Sequence, residues 1–181
     1  MPFLPSLPER STLLEVFKAH PETSRPLIQF HEVLLRGPSP FTEAERELIA
    51  AYVSRLNGCR YCAGVHTATA ELLGVATGAV EQLISDFNSA AVSDKMRPVL
   101  HYAEKLTRDP RSITQSDADA ILQAGWNEAA VYHAAAVTAL FNFMNRLVEG
   151  LGVELEAAYV PVAAERLAKR GYTPLIAMLP R

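Results

Sequence analysis

Two cysteines and a histidine stand close together in this sequence and could carry redox chemistry. Cys59 and Cys62, the only cysteines of the chain, are three residues apart, and His66 follows four residues after the second. On an α-helix, residues three or four positions apart share a face, so these three side chains would form one stripe. Cα atoms at the spacing of the two cysteines lie roughly 5 Å apart, within the span of a disulfide. The stretch therefore offers a redox-capable pair of sulfurs beside a proton acceptor.

Three chemistries compete for this pattern. In a peroxidase, one thiolate attacks the O–O bond to form a sulfenic acid, and the neighbouring thiol condenses with it to a disulfide. A thiol–disulfide oxidoreductase would use the same pair to pass electrons between proteins. A zinc site is disfavoured, because the stretch supplies only three of the four ligands of a closed site and one short helix fits a tetrahedron poorly. A structural disulfide is disfavoured as well, since a bridge over so short a loop stabilises little and a reducing cytosol opposes it.

The helix before the cysteines is predicted to begin at Thr42, which forms a capping box with Glu45, and to end at Asn57-Gly58. Glu47 falls opposite the apolar stripe of this helix, among the small residues Ala50, Ala51 and Ser54. A helix glutamate is usually solvated. The alternative is that the small-residue face packs closely against another helix and buries Glu47 with it.

The motif helix itself is predicted to begin after Gly58 and to run to Leu73, with Gly74 as its C-terminal stop. This placement puts Cys59 at or just before the first turn. Unpaired backbone amides and the helix dipole stabilise a thiolate there. Cys62 lies one turn further in, where His66 can reach it.

The rest of the chain has helical periodicity without a convincing strand pattern, so the predicted fold class is all-α. We divide the chain into an N-terminal helical arm over residues 1–40, a core over 41–155, and a C-terminal helix and tail over 156–181. Pro21 and Pro26 are predicted to break the first helical run of the arm. His20 and His31, without acidic or thiol neighbours in sequence, are interpreted as surface or packing histidines. Residues 172–181 are predicted to form an apolar tail.

A cluster of polar residues follows the most apolar helix, which Asn127 is predicted to cap. Asn142, Asn145 and Arg146 share one side of this helix with Glu149. The simplest interpretation is a polar face with a pair between Arg146 and Glu149. The alternative is a polar network across a subunit interface.

Composition limits the classes of function. The 181 residues, 49% hydrophobic and 20% charged, suit one globular domain. A net charge of -3 without a basic tract argues against nucleic acid or an anionic membrane as the main partner. No apolar run reaches the length of a membrane span, and the N-terminus lacks a signal pattern. We therefore expect a cytoplasmic protein that binds neither nucleic acid nor membrane.

Four stretches carry a resemblance to a known family. The run Glu47-Leu48-Ile49-Ala50, followed by Leu56-Asn57-Gly58-Cys59-x-x-Cys62-x-x-x-His66, resembles the alkyl hydroperoxidase D-like branch of the carboxymuconolactone decarboxylase superfamily. Within that branch it is most similar to the group of uncharacterised peroxidase-related enzymes. The stretches Tyr102–Thr107 and Phe141–Leu147 are similar too, and the resemblance covers roughly residues 10 to 155.

The resemblance implies a single-domain helical bundle that forms a homo-oligomer: a dimer, trimer or hexamer. It also implies that Cys62 attacks a hydroperoxide, that Cys59 resolves the product, and that His66 and Glu47 form the proton relay. The best-studied members carry a second histidine just before the second cysteine, where this chain has Tyr61. A phenol, with a pKa of about 10, is a poor base at neutral pH.

We therefore predict a thiol-dependent peroxidase that reduces hydrogen peroxide or organic hydroperoxides. An external dithiol or protein thiol must restore the two cysteines, since the chain has no other. Neither a cofactor nor a bound metal is expected. The alternative is a redox-sensing or thiol–disulfide exchange module without significant peroxidase turnover.

Overall fold

The fold is built entirely from helices in the residues that the computed structural model describes, 2–180. Ten α-helices and one short 3-10 turn are present there, and no strand. The helices are α1 Leu13–Ala19, α2 Pro21–Arg36, α3 Glu43–Leu56, α4 Arg60–Leu72, α5 Ala79–Ser85, α6 Arg97–Arg108, α7 Gln115–Gln123, α8 Glu128–Gly150, α9 Tyr159–Arg170 and α10 Thr173–Ala177. The predicted all-α class is confirmed.

The junction between α3 and α4 forms as the sequence predicts. Thr42 and Glu45 make the capping box, in which the Glu45 amide donates to the Thr42 hydroxyl over 3.2 Å and the Glu45 carboxylate accepts the Thr42 amide over 2.8 Å. Gly58 turns the chain with a φ of 70°, a left-handed conformation that favours glycine. Cys59 then caps the N-terminus of α4.

Helix α3 lies at the centre of the bundle, against α4, α6 and α8. Its small-residue face, formed by Ala50, Ala51 and Ser54, is completely buried, and Glu47 is buried with it at 0% exposure. The absence of long side chains lets the neighbouring helices approach this face closely. The interpretation that close packing buries Glu47 is therefore confirmed, and the solvated alternative is wrong.

The N-terminal arm is more continuous than predicted. Helix α1 ends at Ala19, so the predicted break at Pro21 is confirmed, and Pro21 begins α2; Pro26, in contrast, lies inside α2 and does not end it. A proline at the first helical position loses no hydrogen bond, because the amide there has no partner within the helix. Pro26 does remove one bond, but it sits on the exposed side, where solvent can reach the carbonyl left free.

The last residues are also more ordered than an apolar tail. They include α10, which packs against α2. The Glu32 carboxylate of α2 accepts the backbone amides of Tyr172 and Thr173 over 2.6 and 3.0 Å, which holds the start of α10 in place. Only Arg181 of the predicted tail and Met1 of the predicted arm lie outside the described residues. Within residues 2–180, no helix has the length and apolarity that crossing a membrane requires.

The turn at Gly171 generates a stability prediction. Its φ of 63° and ψ of -152° favour glycine, and a Cβ there would lie 2.6 Å from Oε2 of Glu32. We expect Gly171→Ala to lower the free energy of unfolding by about 1–3 kcal/mol, measured by urea denaturation. Gly150→Ala is the control, because Gly150 is helical and no atom lies within 4 Å of the place that its added methyl group would occupy. That change should stay within about 1 kcal/mol of the wild type, and equal losses in both variants would contradict the role of the turn.

Candidate active site

The two cysteines are free and lie at the start of α4. Their exposed fractions are 0% for Cys59 and 3% for Cys62. The Cys62 thiol donates a hydrogen bond to the Cys59 sulfur, which lowers the pKa of Cys59. The same bond raises the pKa of Cys62 well above its usual range, and burial adds to that rise. The negative charge of the pair is therefore favoured at Cys59, the sulfur at the helix N-terminus.

Polar groups from α3 and α8 surround the cysteines. The Asn57 amide donates to Oδ1 of Asn145 over 2.9 Å, and the Asn145 amide donates to the Ser54 hydroxyl over 3.0 Å. Asn145 also acts on the Cys62 sulfur, where it opposes the rise in the pKa of that thiol. The polar residues of α8 thus form a network within one chain. The predicted pair between Arg146 and Glu149 is wrong, because Arg146 donates to Oδ1 of Asn142 over 2.8 Å instead.

Three donors converge on the carboxylate of Glu47. Nδ1 of His66 donates to Oε2 over 2.6 Å. Nη2 of Arg36 and the hydroxyl of Tyr172 donate to Oε1 over 2.6 and 2.9 Å. These groups come from α2, α3, α4 and the turn before α10, so four separate parts of the chain meet at one buried charge.

The donors keep Glu47 ionised. Burial alone raises the pKa of a carboxyl group, but the charge and hydrogen bond of His66, and then those of Arg36, outweigh it and lower the pKa of Glu47 to about 2. An ionised Glu47 accepts a hydrogen bond from Nδ1–H of His66 and thereby keeps the proton of the neutral ring on Nδ1. Nε2 is then the nitrogen of His66 that can exchange a proton with another group.

A cavity of about 60 Å³ brings the chemistry-bearing residues together. Cys62 and His66 line it, four residues apart on one face of α4, whereas Cys59 is not part of its wall. The ring of Phe141 packs edge-on against His66 with a centroid distance of 4.6 Å. A space of this size holds roughly four water molecules or a small organic molecule. The structure thus brings His66, which is held by Glu47, to the same cavity as Cys62, whereas Cys59 lies outside the cavity wall.

Three residues of the site have no motif in the sequence. Arg36 and Tyr172 contact Glu47 from the two ends of the chain, and no local pattern points to either. His31 had a weak signal, since it lies three residues after the buried Ile28. It is buried as a packing histidine, but it also lines the cavity. Nδ1 of His31 donates to the Leu27 carbonyl over 2.8 Å, and burial lowers its pKa to about 4, so the ring is neutral at pH 7.

Metal binding has no further support in the geometry. Within the described part of the chain, no group of three or more His, Cys, Asp or Glu side chains is arranged to hold a metal ion. The roles of Cys62, Cys59, His66 and Glu47 in catalysis therefore stay predictions about thiol and proton chemistry.

Comparisons with known proteins agree with the helical fold. The model of the carboxymuconolactone decarboxylase family matches residues 21–105. An uncharacterized peroxidase-related protein from Silicibacter sp. TM1040 is 28% identical, with a TM-score of 0.76 over 81% of this chain and 77% of that chain. The alkylhydroperoxidase core of a peroxidase-related protein from Ralstonia eutropha JMP134 is 22% identical, with a TM-score of 0.75 over 82% and 78%.

A third similar structure is that of a protein with a different activity. It is a debrominase in complex with 2,3,4-tribromopyrrole, 18% identical, with a TM-score of 0.70 over 86% of this chain and 81% of that chain. At that identity the likeness shows the fold alone. Comparison with curated protein sequences gives no significant match. The predicted resemblance and the helical fold are thus confirmed, and the substrate has to be argued from the site.

The Glu47 cluster generates a stability prediction. Glu47→Gln removes the charge that balances the buried Arg36, so we expect the free energy of unfolding at pH 7 to fall by about 3–5 kcal/mol. The loss should shrink as the pH falls. The pKa of Glu47 is about 2 in the fold and 4.5 for an unperturbed glutamate, so its contribution, about 3 kcal/mol, is present above pH 4.5 and is lost as the pH falls toward 2.

The measurement is chemical denaturation of both proteins between pH 2 and pH 7. Glu43→Gln is the matched control, because Glu43 contacts the same arginine over 3.5 Å but its side chain is 43% exposed. Glu43→Gln should lower the free energy of unfolding by less than about 1 kcal/mol. A pH-independent difference between Glu47→Gln and the wild type would contradict an ionised Glu47.

Proposed function

We propose that this chain, which the carboxymuconolactone decarboxylase family model matches over residues 21–105, is a thiol-dependent peroxidase of the alkyl hydroperoxidase D-like type. The observation that carries the proposal is the shared cavity, in which Cys62 faces the same small space as a histidine held by an ionised carboxylate. A thiol, a base and a second sulfur are the three groups that the reaction needs.

The surroundings of the two sulfurs suggest which one attacks the hydroperoxide and which one resolves the sulfenic acid. Cys62 lines the cavity, so it is the sulfur that a bound hydroperoxide meets, but its raised pKa means that it needs a base. His66 is the candidate base, and Glu47 stabilises the imidazolium that results. Cys59 has the lowered pKa and lies outside the cavity wall, which suits a resolving thiolate.

The proposed cycle balances in four steps. His66 takes the proton of Cys62, and the thiolate attacks the distal oxygen of ROOH. An S–O bond forms, the O–O bond breaks, and the departing RO⁻ takes the proton from His66 to leave as ROH. The Cys59 thiolate then attacks the sulfur of the Cys62 sulfenic acid, so that an S–S bond forms and the S–O bond breaks, and the departing hydroxide takes a proton from solvent to leave as water. An external dithiol finally reduces the disulfide and is itself oxidised to a disulfide.

The size and lining of the cavity favour small hydroperoxides. About 60 Å³ admits hydrogen peroxide or a short alkyl hydroperoxide. Most of the wall is apolar, with Leu14, Ile28, Val65 and Met144 among its residues. Apolar walls hold an alkyl group and exclude water from the thiolate.

We also propose a homo-oligomer in the cytoplasm. Phe30 and Val33 of α2 are 46% and 67% exposed, and Phe143 of α8 is 51% exposed. Large apolar side chains exposed to this degree are the kind that subunit contacts cover. The free thiols suit a reducing compartment.

One observation favours the alternative of a redox-sensing or thiol–disulfide exchange module. Both sulfurs are almost completely buried, so a bulky reductant would reach the oxidised pair slowly. Such a protein would consume one equivalent of hydroperoxide and then stop.

Hydroperoxide consumption under excess dithiol tests both functions. We expect the wild type to turn over many equivalents and Cys62→Ser to fall to the rate of the buffer, because the attacking sulfur is gone. Without the dithiol, Cys59→Ser treated with one equivalent of hydroperoxide should consume it and stop at a sulfenic acid, detected by mass spectrometry. A Cys62→Ser protein that consumes hydroperoxide at the wild-type rate would contradict the peroxidase, and a wild type that stops after one equivalent would support the alternative.

A further inference from the structure

Arg166 of α9 lines the same cavity as Cys62 and His66. Its Nη2 donates to the hydroxyl of Tyr159 over 3.0 Å. The ring of Tyr159 stacks in turn on Tyr61, with a centroid distance of 6.0 Å and an interplanar angle of 29°. A cation is thus fixed in a wall that is otherwise mainly apolar.

Among the described residues, this cation has no counter-ion. Within residues 2–180, three arginines have a buried Nε without a hydrogen-bond acceptor: Arg36, Arg55 and Arg166. Arg36 is nevertheless paired with Glu47 over 2.6 Å, and Arg55 with Glu81 over 2.7 Å. In the same range Arg166 forms no ion pair, and no Asp or Glu is among the residues that line the cavity. A buried polar group of a charged side chain that is left without an acceptor points to a ligand that supplies one.

We propose that Arg166 binds the carboxylate of the substrate, so that the preferred hydroperoxides are small molecules that carry an acidic group. This inference rests on the proposed peroxidase function for its substrate, but not for the anion site itself. The planar guanidinium matches a carboxylate in shape and charge, and the bond is charge-assisted. The carboxylate would lie at Arg166, the carbon skeleton against the apolar wall, and the peroxide group at Cys62.

Alkylation of Cys62 tests the anion site without requiring turnover. In a Cys59→Ser background Cys62 is the single thiol. Iodoacetate and iodoacetamide are nearly equal in size, and only iodoacetate is an anion. Each forms an S–C bond with the thiolate and expels iodide, and the product is identified by mass spectrometry. The quantity to measure is the rate with iodoacetate divided by the rate with iodoacetamide, which cancels changes in thiol reactivity.

We expect Arg166→Gln to lower this ratio about tenfold, because a hydrogen bond to a charged group is lost for one reagent only. Arg166→Lys should retain part of the preference. Arg170→Gln is the matched control, since Arg170 is an exposed arginine on the same helix and its loss changes the net charge equally. A ratio that is unchanged in Arg166→Gln, or that falls equally in Arg170→Gln, overturns the proposal.

Two further measurements separate this proposal from its premise. If Arg166→Gln does not fold, the anion site is tested in the protein with Arg166 intact. Propanoate should slow the reaction of Cys62 with iodoacetamide, and propanamide should not. Equal protection by both compounds overturns the proposal. For turnover, kcat/KM for 3-hydroperoxypropanoate should exceed that for its methyl ester about tenfold in the wild type and not in Arg166→Gln. Turnover without this preference overturns the anion site alone, whereas a preference in alkylation without any turnover overturns the peroxidase alone.

Discussion

The buried carboxylate of Glu47 is the constraint on which the rest of the site depends. A carboxylate without exposure to water is costly unless donors replace the water it has lost. Here His66, Arg36 and Tyr172 do so, from helices α4 and α2 and from the turn before α10. Because these donors are far apart in the sequence, the charge ties both ends of the chain to the central helix. The same contacts that satisfy the carboxylate also orient the histidine beside Cys62.

The arrangement separates two requirements of thiol chemistry that conflict at a single sulfur. A sulfur that meets substrate in a dry apolar cavity has a raised pKa, whereas a sulfur at a helix N-terminus has a lowered one. Cys62 lies in the cavity and Cys59 at the helix start, and the hydrogen bond between them is the main cause of the difference, because it lowers the pKa of Cys59 and, with burial, raises that of Cys62. A base fixed by a buried carboxylate then compensates for the raised pKa of Cys62. The residue before Cys62 is a buried tyrosine stacked on Tyr159, so it forms part of the wall.

Local signals in the sequence predicted much of this structure. The capping box at Thr42, the stop at Asn57-Gly58 and the position of Cys59 follow from interactions within a few residues. The burial of Glu47 was also predictable, because a face of alanine and serine allows close helix packing. Its partners Arg36 and Tyr172 were not, since contacts over 11 and 125 residues leave no periodic pattern. The predicted break at Pro26 was wrong for the opposite reason, because a local helix breaker is tolerated where tertiary packing holds the helix together.

Glu47 is ionised although it is completely buried, and the chemistry of the site depends on that charge. Its ionisation is tested most directly by ¹³C NMR titration of the side-chain carboxyl groups in glutamate-labelled protein, with the Glu47 signal assigned by its loss in Glu47→Gln. We expect a carboxylate chemical shift for Glu47 from pH 8 down to pH 3, because its pKa is about 2. A Glu47 signal that titrates above pH 4.5, the pKa of an unperturbed glutamate, would contradict a buried carboxylate held by its three donors.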